Sequence, residues 1–322
     1  MLLSKKIHKI ELAIDALSLH GNECRLCPKE CGINREKGEI GYCGTGYQAS
    51  VSHALLHFGE EPVISGKGRA KHGSGTVFFS GCNLKCKFCQ NYQISWLNKG
   101  NNVSDKELAS IFLDLQNQGA LNLNLVTPSH VLLPILNALK IAYSKGLSLP
   151  LVYNSSAYEK SSVIKCLTGV VDIYLPDLKY FSAPIAKKLS NAPDYFKQAS
   201  QVVLEMCSQQ PVLYIGKDNS AEKGLILRHL VLPGQVEDSL KILKWVADKL
   251  PASIGLSLMS QYSPCFKTPV EFRRTLIPQE YCRVLDYSKN IGLEYLFSQP
   301  EPFYPEENLL PNFLNKKPFN FK

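Results

Sequence analysis

The 322-residue chain is long enough to bury a full core, and its make-up, 45% hydrophobic and 20% charged, is that of an ordinary globular protein. No stretch has the uninterrupted apolar length of a membrane span, and Lys5, Lys6, His8 and Lys9 break up the start that a secretory signal would need, so a cytoplasmic protein with no membrane partner is expected. The net charge of +8 is scattered over short groups such as Lys67/Arg69/Lys71 and Arg273/Arg274, and no nucleic-acid-reading motif accompanies it, which disfavours nucleic acid as a partner.

Leu3, Ile7, Ile10, Ile14 and Leu17 recur every three or four residues, so residues 1–21 read as an amphipathic helix that ends at Gly21 and docks on the main domain. Residues 22–65 read as a small module rich in Gly and Cys, with too few apolar residues to fold by burial alone. Its cysteines, Cys24, Cys27, Cys31 and Cys43, are spaced C-x2-C-x3-C-x11-C. Four thiolates in a reducing compartment make a closed metal site, which suits structural zinc or an auxiliary Fe-S cluster; spacing does not separate the two.

Residues 66–75, GKGRAKHGSG, read as a mobile loop. Strand-like runs then alternate with helix-like runs, the strands falling at 76–80, 121–126, 149–153, 170–175, 225–232 and 254–259. The clearest helix starts at a capping box of Ser104 and Glu107, buries Leu108, Ile111, Phe112 and Leu115, and stops at Gly119. Six parallel strands joined by right-handed crossovers curl into a barrel or an open part of one, so residues 66–300 are expected to be an α/β domain of that kind. Residues 281–297 add a last helix and strand. The tail, 301–322, carries Pro302, Pro305, Pro311 and Pro318 and reads as irregular.

Directly after the first of these strands comes Cys82-Asn-Leu-Lys-Cys86-Lys-Phe-Cys89, spaced C-x3-C-x2-C. Zinc would want a fourth ligand close by, and none follows. Three thiolates on a 4Fe-4S cluster leave one iron without a protein ligand, open to a small molecule. Cys166, Cys207, Cys265 and Cys282 are scattered and read as packing residues.

The segment GCNLKCKFCQN resembles the defining motif of the radical S-adenosylmethionine (SAM) superfamily. The pieces CRLCPKECGINREKGEIGYCG, LHFGEEP, NLVTPSHV, LVYNSSAYE, VDIYLPDLKY, RHLVLPG and LMSQY look most like its glycyl-radical-enzyme activating branch, in particular the pyruvate formate-lyase activating-enzyme-like group. What the resemblance implies is a partial (β/α)6 TIM-type barrel that holds a 4Fe-4S cluster on Cys82, Cys86 and Cys89. It further implies that S-adenosyl-L-methionine chelates the open iron and is cleaved reductively to methionine and a 5′-deoxyadenosyl radical, which abstracts hydrogen from a protein or peptide such as a glycyl radical enzyme. Flavodoxin or ferredoxin would be the electron donor. Asp177-Leu178-Lys179 resembles the Asp-x-Lys stretch of those enzymes, and Arg228 with 231–234 resembles their fifth strand.

Ligands of such barrels sit at the carboxyl ends of the strands, where Thr127, Ser129, Asn154, Ser156, Asp177, Lys179 and Arg228 fall, and these are the candidate cofactor-binding residues. Superfamily members often carry Gly-Gly-Glu after the second strand. Here Thr127-Pro128-Ser129-His130 stands in that place, so the hydroxyls of Thr127 and Ser129 would substitute for the carboxylate. No residue is assigned a catalytic role, and His57 reads as structural. Two other readings stay open: a radical reaction on a small molecule, and a non-catalytic Fe-S or zinc protein that binds nucleic acid.

Overall fold

The alternation of apolar runs becomes ten strands in the computed structural model, which describes residues 2–66, 72–299 and 310–319. They are β1 (Ala49–His57), β2 (Ser74–Phe79), β3 (Asn101–Val103), β4 (Leu123–Val126), β5 (Leu151–Ser155), β6 (Ile173–Pro176), β7 (Tyr214–Ile215), β8 (Ala221–Leu230), β9 (Gly255–Met259) and β10 (Tyr295–Ser298). Their order in the sheet is β10-β9-β8-β6-β5-β4-β2-β1-β3, with β7 pairing antiparallel to β8.

Every neighbouring pair from β2 to β10 on that path is parallel and follows chain order. The sheet is therefore wound in one direction, with no reversal of the doubly wound kind. All six strands expected from the sequence are present, and β10 adds a seventh to the parallel run. β2, β5 and β6 are buried at every position, as parallel strands covered on both faces must be.

β1 falls inside the stretch read from the sequence as a cysteine-rich module, yet it is a strand of the main sheet. It runs antiparallel to β2, pairing Val51 with Phe79 and His57 with Ser74. This places the turn after His57 at the amino end of β2, from which the chain enters the sheet's interior.

The helix Asp105–Asn117 has the capping box predicted for it. Glu107 N–H donates to Ser104 Oγ at 3.3 Å, and Ser104 N–H donates to a Glu107 carboxylate oxygen at 2.8 Å. Leu108, Phe112 and Leu115 face the sheet, and Gly119 leaves the helix at φ +87°. The helix Leu2–Leu17 lays Ile10, Ala13 and Leu17 against the helix Leu132–Ser144. Half-buried Lys6 pairs with Asp172, which also accepts from Leu151 N–H at 2.8 Å. A short 3-10 turn, Ser18–Gly21, follows the helix, and the Gly21 carbonyl accepts from Arg35 N–H at 2.8 Å, so the turn leads straight into the cysteine module.

Of the segment read as a mobile loop, residues 67–71 lie outside the described residues, as do Pro302 and Pro305 of the tail. The described part of the tail packs Phe313 on Phe78, and Phe313 N–H donates to Gln93 Oε1 at 2.6 Å. Among the described residues, no helix is long and apolar enough to cross a membrane.

Candidate metal centre

β2 delivers the second cysteine group. Ser80 N–H bonds the Ser50 carbonyl at 2.8 Å, the chain turns at Gly81 with φ +87°, and Cys82, Cys86 and Cys89 follow on one loop. Protein groups hold that loop on several sides: Cys82 N–H donates to Cys43 O (3.1 Å), Lys87 N–H to Leu189 O (2.8 Å), Trp96 Nε1 to Cys86 O (2.9 Å) and Asn83 Nδ2 to Tyr158 O (2.6 Å). Cys82 and Cys86 are buried and Cys89 half-buried. Leu84 N–H points at Cys82 Sγ (3.4 Å) and Ser95 Oγ at Cys89 Sγ (3.2 Å).

Burial, and after it the neighbouring Cys86, pushes the thiols of Cys82 and Cys89 up to about 12. Both stay protonated until a metal takes the proton's place. Among the described residues, no three His, Cys, Asp or Glu side chains stand close enough to hold a single metal ion. A four-iron cluster has no such need, because each thiolate binds a separate corner. Three sulfurs on one pinned loop, from two buried cysteines and one half-buried, with N–H and O–H donors on two of them, fit that group.

Gly81 is the tightest point of the loop. A Cβ there would lie 2.7 Å from Cys43 O, 2.8 Å from Thr45 Cγ2 and 3.0 Å from His130 Nε2. Gly81→Ala is therefore expected to cost about 1–3 kcal/mol in backbone strain alone and to lower iron loading. Thermal melting with iron analysis checks this, and an unchanged melting point with full iron would contradict it.

A polar cluster lies at the carboxyl ends of the following strands. Arg228 of β8 donates through Nε to Asp177 Oδ1 (2.7 Å), through Nη2 to Asn154 Oδ1 (2.6 Å) and through Nη1 to Glu60 Oε2 (3.2 Å). Lys179 Nζ takes the other Asp177 oxygen at 2.5 Å. Glu60, arriving from the turn after β1, also accepts from Asn124 Nδ2 at 3.2 Å. Tyr195 closes the group from the outside, its hydroxyl 2.9 Å from Ser156 O and 2.7 Å from Asp177 O.

Burial would raise the Asp177 carboxyl, but Arg228 and Lys179 outweigh it and hold it below the usual range. For Glu60 and Glu61 burial wins over Arg228, and both are raised. Glu60, Glu61, Arg228, Ser257, Gln261 and Gln299 face a cavity of about 120 Å³. Gln90, beside the cysteine loop, donates to Gln261 O at 2.8 Å and so joins the loop to the cavity's rim. Positive φ values at Lys85, Thr127 and Ala157 place backbone strain on the same loops.

Four of the sequence-predicted residues, Asn154, Asp177, Lys179 and Arg228, thus meet in one network. The other three stand apart from it. Thr127 contributes its backbone N–H to Asn154 O (2.8 Å), Ser129 sits with the buried pair of Tyr153 and Glu159, and Ser156 contributes its carbonyl to Tyr195. His57 is packed edge-on to Phe78 and Phe319. Glu60 and Glu61 were not singled out from sequence. Neither was Cys265, whose thiol lies against the cysteine loop, 3.3 Å from Cys89 O.

Cys24, Cys27, Cys31 and Cys43 line one small cavity together with Arg35, Asn83 and His130. The buried Arg35 guanidinium points Nε at Cys24 Sγ (3.2 Å) and Nη2 at Cys43 Sγ (3.4 Å), and donates through Nη1 to Gly46 O (2.6 Å).

An α/β sheet with a cysteine loop at the end of its first parallel strand is the setting in which the comparisons fall. Residues 64–132, which include β2, the loop and β4, match the family described as a 4Fe-4S single cluster domain. The chain is similar to the uncharacterized protein MJ0674 of Methanocaldococcus jannaschii, 28% identical over 304 residues that cover 91% of this chain and 82% of that one. Among solved structures it is similar to SuiB of Streptococcus suis, with a TM-score of 0.45 and 12% identity over 70% of this chain. The match covers 48% of SuiB, so the chain spans about half the length of that structure.

Proposed function

We propose that this chain is a cytoplasmic radical SAM enzyme with a partial TIM-type barrel, of the pyruvate formate-lyase activating-enzyme-like group. The observation that carries the reading is the three-cysteine loop at the end of β2, within a segment that matches a 4Fe-4S domain and beside a polar cluster on the neighbouring strand ends. In this reading Cys82, Cys86 and Cys89 hold the cluster, which when bound supplies an electron and an open iron for the reductive cleavage of SAM to methionine and a 5′-deoxyadenosyl radical.

The chain's own residues hold and orient SAM. Asn154, Asp177, Lys179 and Arg228 form a preorganised face whose charges are already paired, so they need not reorganise when a zwitterion arrives. Thr127, Ser129 and Ser156 flank it. Glu60 supplies the buried carboxylate that Thr-Pro-Ser-His lacks, as an acceptor for an ammonium group.

The substrate is a protein or peptide, a glycyl radical enzyme by resemblance. Beside the cysteine loop, Lys267 and Lys85 lie over Trp96 at 4.5 and 5.7 Å and Lys29 lies over Tyr42 at 4.7 Å, a basic, aromatic surface suited to an acidic electron donor such as flavodoxin or ferredoxin. The N-terminal cysteines form a second metal site.

The test is 5′-deoxyadenosine measured by chromatography after reduction with dithionite. Wild type should produce it and Cys86→Ala should not. Equal background from both, with wild type fully loaded in iron, would overturn the reading.

A further inference from the structure

The cavity beside Arg228 contains one carboxyl that the polar cluster does not use. Glu61 precedes the short helix Pro62–Ser65, and its carbonyl accepts from Ile64 N–H at 2.8 Å and Ser65 N–H at 3.0 Å. Asn122 Nδ2 in turn holds Ile64 O at 2.7 Å, which ties the turn to the start of β4. Glu61 is 8% exposed and faces the cavity, and its Oε2 is buried with no hydrogen-bond donor on it among the described residues. A carboxylate oxygen kept from water without a donor is destabilising, and a ligand that brings one relieves it.

The charges around Glu61 point to the kind of ligand. Three carboxyls, Asp177, Glu60 and Glu61, share the two cations Arg228 and Lys179. Arg228 and Lys179 take both oxygens of Asp177, and Asn124 and Arg228 take those of Glu60. His57, 3.9 Å from Glu60, adds no charge, because burial and Arg228 push it down to about 4. Burial and the neighbouring Glu60 raise the Glu61 carboxyl against the pull of Arg228 and the Ser257 hydroxyl. A cation with N–H groups brings both the charge and the donor that Glu61 lacks.

We propose that this cavity takes the ammonium group of a lysine side chain of the polypeptide substrate, with Glu61 Oε2 as its acceptor. The inference rests on the reading of the substrate as a protein or peptide. A single bare oxygen suits a compact ammonium, whereas a guanidinium fork matches two. Gln299 offers no second acceptor, since its Oε1 already takes Ser260 N–H at 2.6 Å and Gln261 N–H at 3.1 Å. Pro62, Leu258, Met259 and Phe297 form an apolar wall along which the methylenes of a lysine pack. One water needs about 10–15 Å³ of such space, so a cavity of about 120 Å³ has room for a group of several heavy atoms. It is set apart from the face assigned to SAM: it borders Arg228 and Glu60 but not Asn154, Asp177 or Lys179, and it extends along β9 and β10, away from β6. Because Gln90 joins its rim to the cysteine loop, a lysine held there fixes the register of the polypeptide against that loop.

The experiment titrates the full, cluster-loaded chain anaerobically with n-butylammonium, the lysine side chain without its backbone, and follows binding by calorimetry. One site with a Kd on the order of 1 mM is expected for so small a ligand. Glu61→Gln, which keeps the volume and removes the charge, should weaken it by roughly 10- to 100-fold. On the wild type, 1-butanol should not bind, n-butylguanidinium should bind more weakly, and saturating SAM should leave n-butylammonium in place. Equal affinity in a folded Glu61→Gln protein would overturn the proposal. So would equal binding of 1-butanol or tighter binding of n-butylguanidinium, neither of which needs the variant to fold. Displacement by SAM would assign the cavity to SAM itself and overturn the proposal as well. If n-butylammonium does not bind while the same protein forms 5′-deoxyadenosine, the lysine subsite fails and the radical SAM reading stands; binding without SAM cleavage gives the reverse.

Discussion

Replacing Cys82, Cys86 and Cys89 together by Ala is expected to abolish the iron, the sulfide and the reduced-state EPR signal of the reconstituted 4Fe-4S cluster. The three sulfurs are the loop's whole donor set; Cys265 faces backbone carbonyls, and Asp177 and Lys179 are bound to each other and to Arg228. The fold should survive the change. Lys87, Asn83 and Trp96 pin the loop through backbone and side-chain bonds that do not involve sulfur, so circular dichroism should match the wild type. Stoichiometric iron and sulfide with an unaltered EPR signal in the triple variant would place the cluster elsewhere.

Arg228→Met is expected to produce the largest loss of stability of any single change in the polar cluster, about 3–5 kcal/mol, because it strips the shared cation from buried carboxylates while keeping the side-chain volume. Glu60 and Asp177 both lose a hydrogen-bonded partner, and Asn154 loses its donor. The deficit should depend on pH with a definite sign. Glu60 and Glu61 are already raised by burial despite Arg228, so without it they rise further above their unfolded values. The folded variant then binds more protons than its unfolded chain, and its stability falls as pH rises above the unfolded carboxylate value of about 4. Chemical denaturation of metal-free wild type and variant at about pH 5 and about pH 8 should show the larger gap at the higher pH. A gap of under about 1 kcal/mol at both would mean that solvent already screens these charges.

What could be read from the sequence was what is local. The C-x3-C-x2-C spacing is a property of eight consecutive residues, and the apolar runs of β2, β5 and β6 are buried throughout because each is covered on both faces. The capping box at Ser104 needs only its own four residues. Asn154, Asp177, Lys179 and Arg228 could be singled out because each lies at or near a strand's carboxyl end.

What the sequence hid depends on chain crossings. β1 carries a bulge between Val51 and His53 that breaks its alternation, so the run did not read as a strand. Without β1 there is no reason for Glu60 to enter the sheet, and Gly-Glu-Glu-Pro looks like a solvated turn. His130 sits among strand-end polar residues, but its ring turns to the cysteine module, more than eighty residues away in the chain. Cys265 comes to rest on Cys89 O across a still longer separation, 176 residues.

The central claim is that the Cys82 loop holds a cluster with one iron open to SAM. EPR of the dithionite-reduced wild-type protein, recorded with and without SAM, tests it most directly. An altered signal on adding SAM is the predicted result, since a ligand on the open iron changes that iron's surroundings. A full-intensity 4Fe-4S signal that is identical with and without saturating SAM would contradict the account.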